Sequence, residues 1–127
     1  MKRTASSATL AAMLVVGLGW PGIAAAGKAS VVKVKANSSG GGYYFTVTVA
    51  HADTGWDHYA NKFEILSPDD KVLGTRVLFH PHVDEQPFTR GSSVISIPPG
   101  ITSVIVRAWD SVHKAGDKTF TVKLPGR

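Results

Sequence analysis

From Ser30 to Leu124, apolar and polar residues alternate with a period of two, and no long stretch repeats at helical spacing. Side chains of an extended strand point alternately to opposite faces, so the pattern fits half-buried strands rather than a helical bundle. In Tyr43–His51, for example, Tyr43, Phe45, Val47 and Val49 share one face, Thr46 and Thr48 share the other, and His51 is in phase with the apolar set. Read this way, seven strands are expected: Ser30–Ala36, Tyr43–His51, Tyr59–Leu66, Val72–Phe79, Val94–Ile97, Ser103–Asp110 and Lys118–Leu124. Turn signals separate them, among them Gly40-Gly41-Gly42, Pro68-Asp69-Asp70 and Pro98-Pro99-Gly100. Short strands punctuated this often predict an all-β domain, a seven-stranded immunoglobulin-like antiparallel β-sandwich.

The first 26 residues stand apart from that pattern. Lys2 and Arg3 precede an apolar run, Ala8–Leu18, and Ala24-Ala25-Ala26 supplies small residues before Gly27. This is the pattern of a secretory signal peptide over residues 1–26. Its apolar run is shorter than the roughly 20 residues of a spanning helix, so no stable membrane insertion is expected after cleavage. The domain then covers residues 27–127, and the chain is expected in the periplasm or secreted. No cysteine is present to form a disulfide, ligate a metal or act as a nucleophile. Stability must therefore come from the core or from a bound metal. Loss of Lys2 and Arg3 lowers the formal charge from +5 to +3, and the remaining cations mostly alternate with apolar residues. A nucleic-acid binder concentrates its charge in one patch, so nucleic acid is not an expected partner.

If consecutive strands alternate in direction, their connections alternate between two poles. Glycine, proline and serine dominate the turns at one pole. The connections Ala52–His58, His80–Ser92 and Ser111–Asp117 belong to the other, and with the border residue His51 they hold all 5 histidines: His51, His58, His80, His82 and His113. Neutral imidazole is the commonest metal ligand, and function tends to sit on loops over a rigid scaffold. His80-Pro81-His82 directs two rings to one side of an extended segment, although separate solvated rings fit the same spacing. Asp110 lies three residues before His113. Imidazoles with a carboxylate suit zinc, iron(II) or copper(II). Asp84 and Glu85 are candidate acceptors for ring N–H groups, and Trp56 and Trp109 flank the pole as packing or shielding groups.

The stretch His51-Ala52-Asp53-Thr54-Gly55-Trp56-Asp57-His58-Tyr59, leading into Lys62–Leu66, resembles the His-x-x-Thr…His-Tyr segment of superoxide reductases. That family comprises the neelaredoxins and the iron-binding domain of desulfoferrodoxins. The resemblance implies an immunoglobulin-like sandwich and an iron site of histidines with one cysteine. Asp110-Ser111-Val112-His113 stands where the family has Cys-x-x-His. The resemblance thus implies His51, His58 and His113 as ligands, with Asp110 in place of the thiolate, and leaves His80 and His82 unassigned. A carboxylate in that place changes the iron's potential, so metal binding carries over more readily than superoxide reduction.

Three function classes follow. One is an exported protein that binds, delivers or senses a divalent transition metal through His51, His58, His80, His82, His113 and Asp110, with another exported protein as a possible recipient. The second is a mononuclear redox enzyme related to superoxide reductase. The third is a metal-free recognition module with Trp56, Trp109, Phe88 and Arg90 as contact residues for a protein or glycan.

Overall fold

A computed structural model of the chain describes residues 27–127. The signal-peptide reading falls on residues outside that range. Eight strands make up the fold: β1 (Ser30–Ser39), β2 (Gly42–Ala50), β3 (Ala60–Leu66), β4 (Val72–Val77), β5 (Phe88–Gly91), β6 (Ser103–Asp110), β7 (Lys114–Ala115) and β8 (Phe120–Lys123). Among the described residues there is no helix, and so none that is long and apolar enough to cross a membrane. Two antiparallel sheets form. One runs β1-β2-β5; the other runs β4-β3-β6, with β7 and β8 sharing the far edge of β6.

The alternation read from the sequence explains the core. Phe45, Val47 and Val49 of β2 are fully buried, as are Phe63 and Ile65 of β3 and Val104 and Val106 of β6. All belong to one cluster that both sheets share. Each large side chain so buried stabilises the fold by roughly 1.5–3 kcal/mol. The polar faces of β1 and β2 carry Lys33 and Lys35 to the surface and leave Thr46 and Thr48 half-buried. Glu64 is an exception on β3. It is buried, and its carboxylate accepts from Trp109 Nε1 at 2.6 Å and from Arg107 Nη2 at 2.9 Å.

Two expected strands are corrected. Val94–Ile97 is not a strand of its own; it touches β2 through an isolated Tyr43–Ile95 bridge. Ile95 and Ile97 are buried there, and Ile95 fills the space that a side chain at Gly74 of β4 would need. Apolar periodicity recorded that burial but not ladder pairing. The strand in this part of the chain is β5, inside the segment expected to be the loop His80–Ser92. It pairs with the free edge of β2, Val49 opposite Phe88 and Thr46 opposite Gly91. With one buried residue in four, β5 has no alternation to read. The expected strand Lys118–Leu124 is shortened to β8, and β7 lies before it, in the segment expected to be the loop Ser111–Asp117. Lys114 has φ 69° and the chain turns through Gly116 between them.

Register fixes what lies at each pole. β2 ends beside the start of β5, because Val49 faces Phe88. β3 starts opposite the end of β4, Lys62 against Val77, and opposite the end of β6, Ala60 against Asp110. The connections 51–59, 78–87 and 111–113 therefore emerge at one end of the molecule. All five histidines are in them.

Candidate metal centre

Two strands bring polar groups to the end of the core through their own periodicity. On β6, Val104, Val106 and Ala108 are buried in alternation, and Asp110 is the next inward position, with none of its surface exposed. On β2, Phe45, Val47 and Val49 point inward, and His51 follows them, 2% exposed. The two strands belong to opposite sheets, so an imidazole and a carboxylate close the sandwich at this pole. His58 joins them from the tight turn before β3, where Gly55 and His58 form an isolated bridge.

Ligand-type atoms of His51, His58 and Asp110 all lie within 4.8 Å of one another. His51 Nε2 and His58 Nε2 are 3.2 Å apart, and His58 Nε2 is 3.1 Å from Asp110 Oδ1. Donors bound at about 2.0–2.2 Å around one ion are separated by about 3–3.5 Å along the polyhedron's edges, so both distances match such edges. His51 Nδ1 lies 2.6 Å from Asp53 Oδ1. A neutral His51 that donates its proton there presents Nε2 as a bare lone pair toward the centre. Carboxylate–histidine–metal arrangements have this form.

Asp53 is held in turn. Its Oδ1 also accepts from the Ala60 amide at 3.0 Å, and its Oδ2 accepts from the His82 amide at 2.7 Å. The side chain is therefore fixed from three elements: the exit of β2, the start of β3 and the 78–87 connection. Asp110 Oδ1 accepts from the amides of His113 and Val112 at 2.7 and 2.9 Å. Asp110 Oδ2 is buried and has no hydrogen-bond partner among the described residues. Burial pushes this carboxyl's pKa upward, but the two amides and the neighbouring His51 and His113 outweigh it, holding the pKa below the usual carboxylate range. An ionised, partly unpaired oxygen buried beside two imidazoles calls for a cation.

Of the six residues singled out from the sequence, His51, His58 and Asp110 converge. His113 lies at their edge: its Nδ1 is 3.3 Å from Asp110 Oδ1, its ring centre is 5.0 Å from that of His58, and its side chain is 39% exposed. His80 and His82 form a separate pair with ring centres 4.7 Å apart. The His82 ring stacks on Phe88 at 3.9 Å, and both its nitrogens are buried without partners among the described residues. His82 meets the His51 group through its backbone, by its amide at Asp53 and by its carbonyl through Gln86, whose Oε1 accepts from the His51 amide.

The other residues flagged from the sequence are placed differently. Glu85 binds Arg90 rather than an imidazole. Trp109 is on the opposite face of β6 from Asp110, bonded to Glu64 and covered by Lys62 at 4.1 Å. Phe88 is fully buried and cannot be a surface contact residue, whereas Trp56 is 66% exposed. Two participants were not singled out in the sequence. Asp53 was legible as a carboxylate two residues beyond His51. Gly27, whose carbonyl oxygen lies 2.9 Å from His51 Nε2, gave no signal of its own.

Known proteins offer one point of comparison. Over 96 residues the chain is 40% identical to a protein of Halomicrobium mukohataei named "Putative lipoprotein". The match covers 75% of this chain and 47% of that protein, so the chain spans about half the length of the relative it matches. No family model and no solved structure matches the chain significantly.

Proposed function

We propose that this is an exported binding protein for a divalent transition metal, held at one pole of an immunoglobulin-like sandwich by His51, His58 and Asp110. The observation that carries the reading is the convergence of those three side chains within 4.8 Å, with the Asp110 carboxylate ionised and one of its oxygens unpaired. Two imidazoles and a carboxylate fit zinc, copper(II) or iron(II). In the neutral tautomer with the proton on Nδ1, the Asp53–His51 contact leaves Nε2 available to a metal. Export is supported by the leader-like first 26 residues and by the name of the relative.

The test is calorimetric titration of the protein with each metal at neutral pH, alongside His58→Ala and Asp110→Asn. Binding of one ion per chain, lost in both variants, is the expected result. Failure of zinc, copper(II) and iron(II) alike to bind the unaltered protein rejects the reading.

A redox role related to superoxide reductases is the second reading. His113 supports it, because it reaches Asp110 from the exposed side and gives the group the four residues that the resemblance implies. His113 and His58 are also the members of the group that solvent reaches, with side chains 39% and 18% exposed. Stopped-flow mixing of the iron-loaded protein with superoxide distinguishes the two readings. A carrier shows no turnover, and an enzyme does.

A further inference from the structure

We propose that the α-amino group of Gly27, freed by cleavage after Ala26, is itself a ligand of the metal centre, so that the site is complete only in the processed, exported chain. This rests on the metal-binding reading above and adds a ligand and a mode of control to it.

The first observation is the place of Gly27. Its carbonyl oxygen is 2.9 Å from His51 Nε2, which is in turn 3.2 Å from His58 Nε2. In the neutral tautomer whose Nδ1 proton is directed to Asp53, the lone pair of Nε2 and the oxygen of Gly27 are two acceptors facing each other. They repel unless a proton or a cation lies between them. The three converging side chains supply three donors, one fewer than a tetrahedral ion takes.

The second observation is that this segment is held in place. Ala29 is 1% exposed, and any side chain at Gly116 would collide with the Ala29 carbonyl. Val31 N donates to Lys118 O at 3.0 Å, Ser30 forms a parallel bridge with Lys118, and Lys28 pairs with Asp117 at 3.8 Å. From Lys28 onward the chain is fixed against the turn after β7, and that contact delivers Gly27 to the histidines.

The third observation comes from the sequence. Ala24-Ala25-Ala26 fits a cleavage pattern that would make Gly27 the first residue. In an unprocessed chain the Gly27 nitrogen is a peptide nitrogen, whose lone pair is delocalised into the carbonyl and ligates poorly. After cleavage it is a primary amine with an unperturbed pKa of about 7.7–8.0, and its neutral form is a strong donor. Amine nitrogen and carbonyl oxygen of one residue close a five-membered ring on a single ion. A cytoplasmic precursor would hold metal weakly, and the exported product would hold it tightly.

The experiment compares the chain starting at Gly27 with the same chain retaining Ala26, each titrated with copper(II), with metal-free thermal unfolding as a check on the fold. Retaining Ala26 is expected to weaken binding ~10-fold or more and to remove one nitrogen from the copper(II) electron paramagnetic resonance pattern. Where the added residue lowers the unfolding temperature, a chain acetylated at Gly27 replaces it, with the same expectation. Equal affinity and equal nitrogen count in the two forms overturn the amine's role and leave the histidine site standing. Binding by neither form overturns both readings. Mass analysis of the exported protein must find Gly27 first; any other start overturns the proposal.

Discussion

Asp53 ties three elements of the histidine pole together, although its side chain faces no solvent and it is not one of the three converging ligand groups. Its two oxygens face His51 Nδ1 and accept from the Ala60 and His82 amides. An asparagine there cannot accept at both ends, because its NH2 group would oppose a donor. Asp53→Asn is therefore expected to lower metal affinity about 10–100-fold, as loss of such outer partners does, measured by competition against a chromophoric chelator. His82 carries a different kind of prediction. Burial in the first place, then the charges of Arg90 and His80, hold its pKa below the ordinary 6.5. A histidine with a depressed folded pKa contributes stability that is full above about 6.5 and declines as pH falls toward the folded value, because the unfolded chain takes up the proton first. The metal-free protein should lose stability between pH 7 and pH 5.5 in urea titrations. In His82→Phe, which keeps the stack on Phe88, that loss should be reduced.

Among the elements, β6 and the turn after β7 bear most directly on the centre. β6 alternates without a break from Val104 to Asp110, so its inward register ends on a carboxylate. A shift by one residue would turn Trp109 inward and Asp110 out. The paired face of Glu64, Arg107 and Trp109 opposes such a shift by binding the outward residues together. The turn after β7 depends on a missing side chain at Gly116. Gly116→Ala must push Ala29 away, at a cost of about 1–3 kcal/mol for overpacking, readable as a lower midpoint in chemical denaturation. Because Ala29 leads back to Gly27, the same variant should also weaken metal binding.

For the whole molecule, the pole is where two sheets, three connections and the segment from Gly27 to Ala29 meet. A ligand that binds this assembled arrangement and not the unfolded chain raises stability in step with its concentration. At 100 times the dissociation constant the gain is about 2.7 kcal/mol. Metal added to the metal-free protein should raise its unfolding temperature, and a chelator should return it to the starting value. A metal-free recognition module would respond to neither. Core truncation acts independently of this. Phe63 is fully buried between the sheets, so Phe63→Ala should cost about 3–5 kcal/mol with and without metal.

Period-two alternation by itself determined that the domain is built of strands, where β6 lies and that His51 and Asp110 fall on inward faces, because a strand's geometry is written residue by residue. Strand direction then sent the histidines to a common end, a conclusion that held although the expected strand Val94–Ile97 was displaced to β5. Ladder pairing was not legible there: β5 pairs through its backbone, which no side-chain pattern reports, whereas Ile95 and Ile97 are buried without a ladder. Tertiary structure alone decided which histidines converge. His80 and His82 share the pole with the others, but the His82 ring stacks on Phe88 and His80 packs on His82, because Asp53 holds the His82 backbone and not its ring. It alone also brought Gly27 to His51, since a distance of 24 residues in sequence is closed by the contact of Ala29 with Gly116, and such contacts depend on packing in three dimensions.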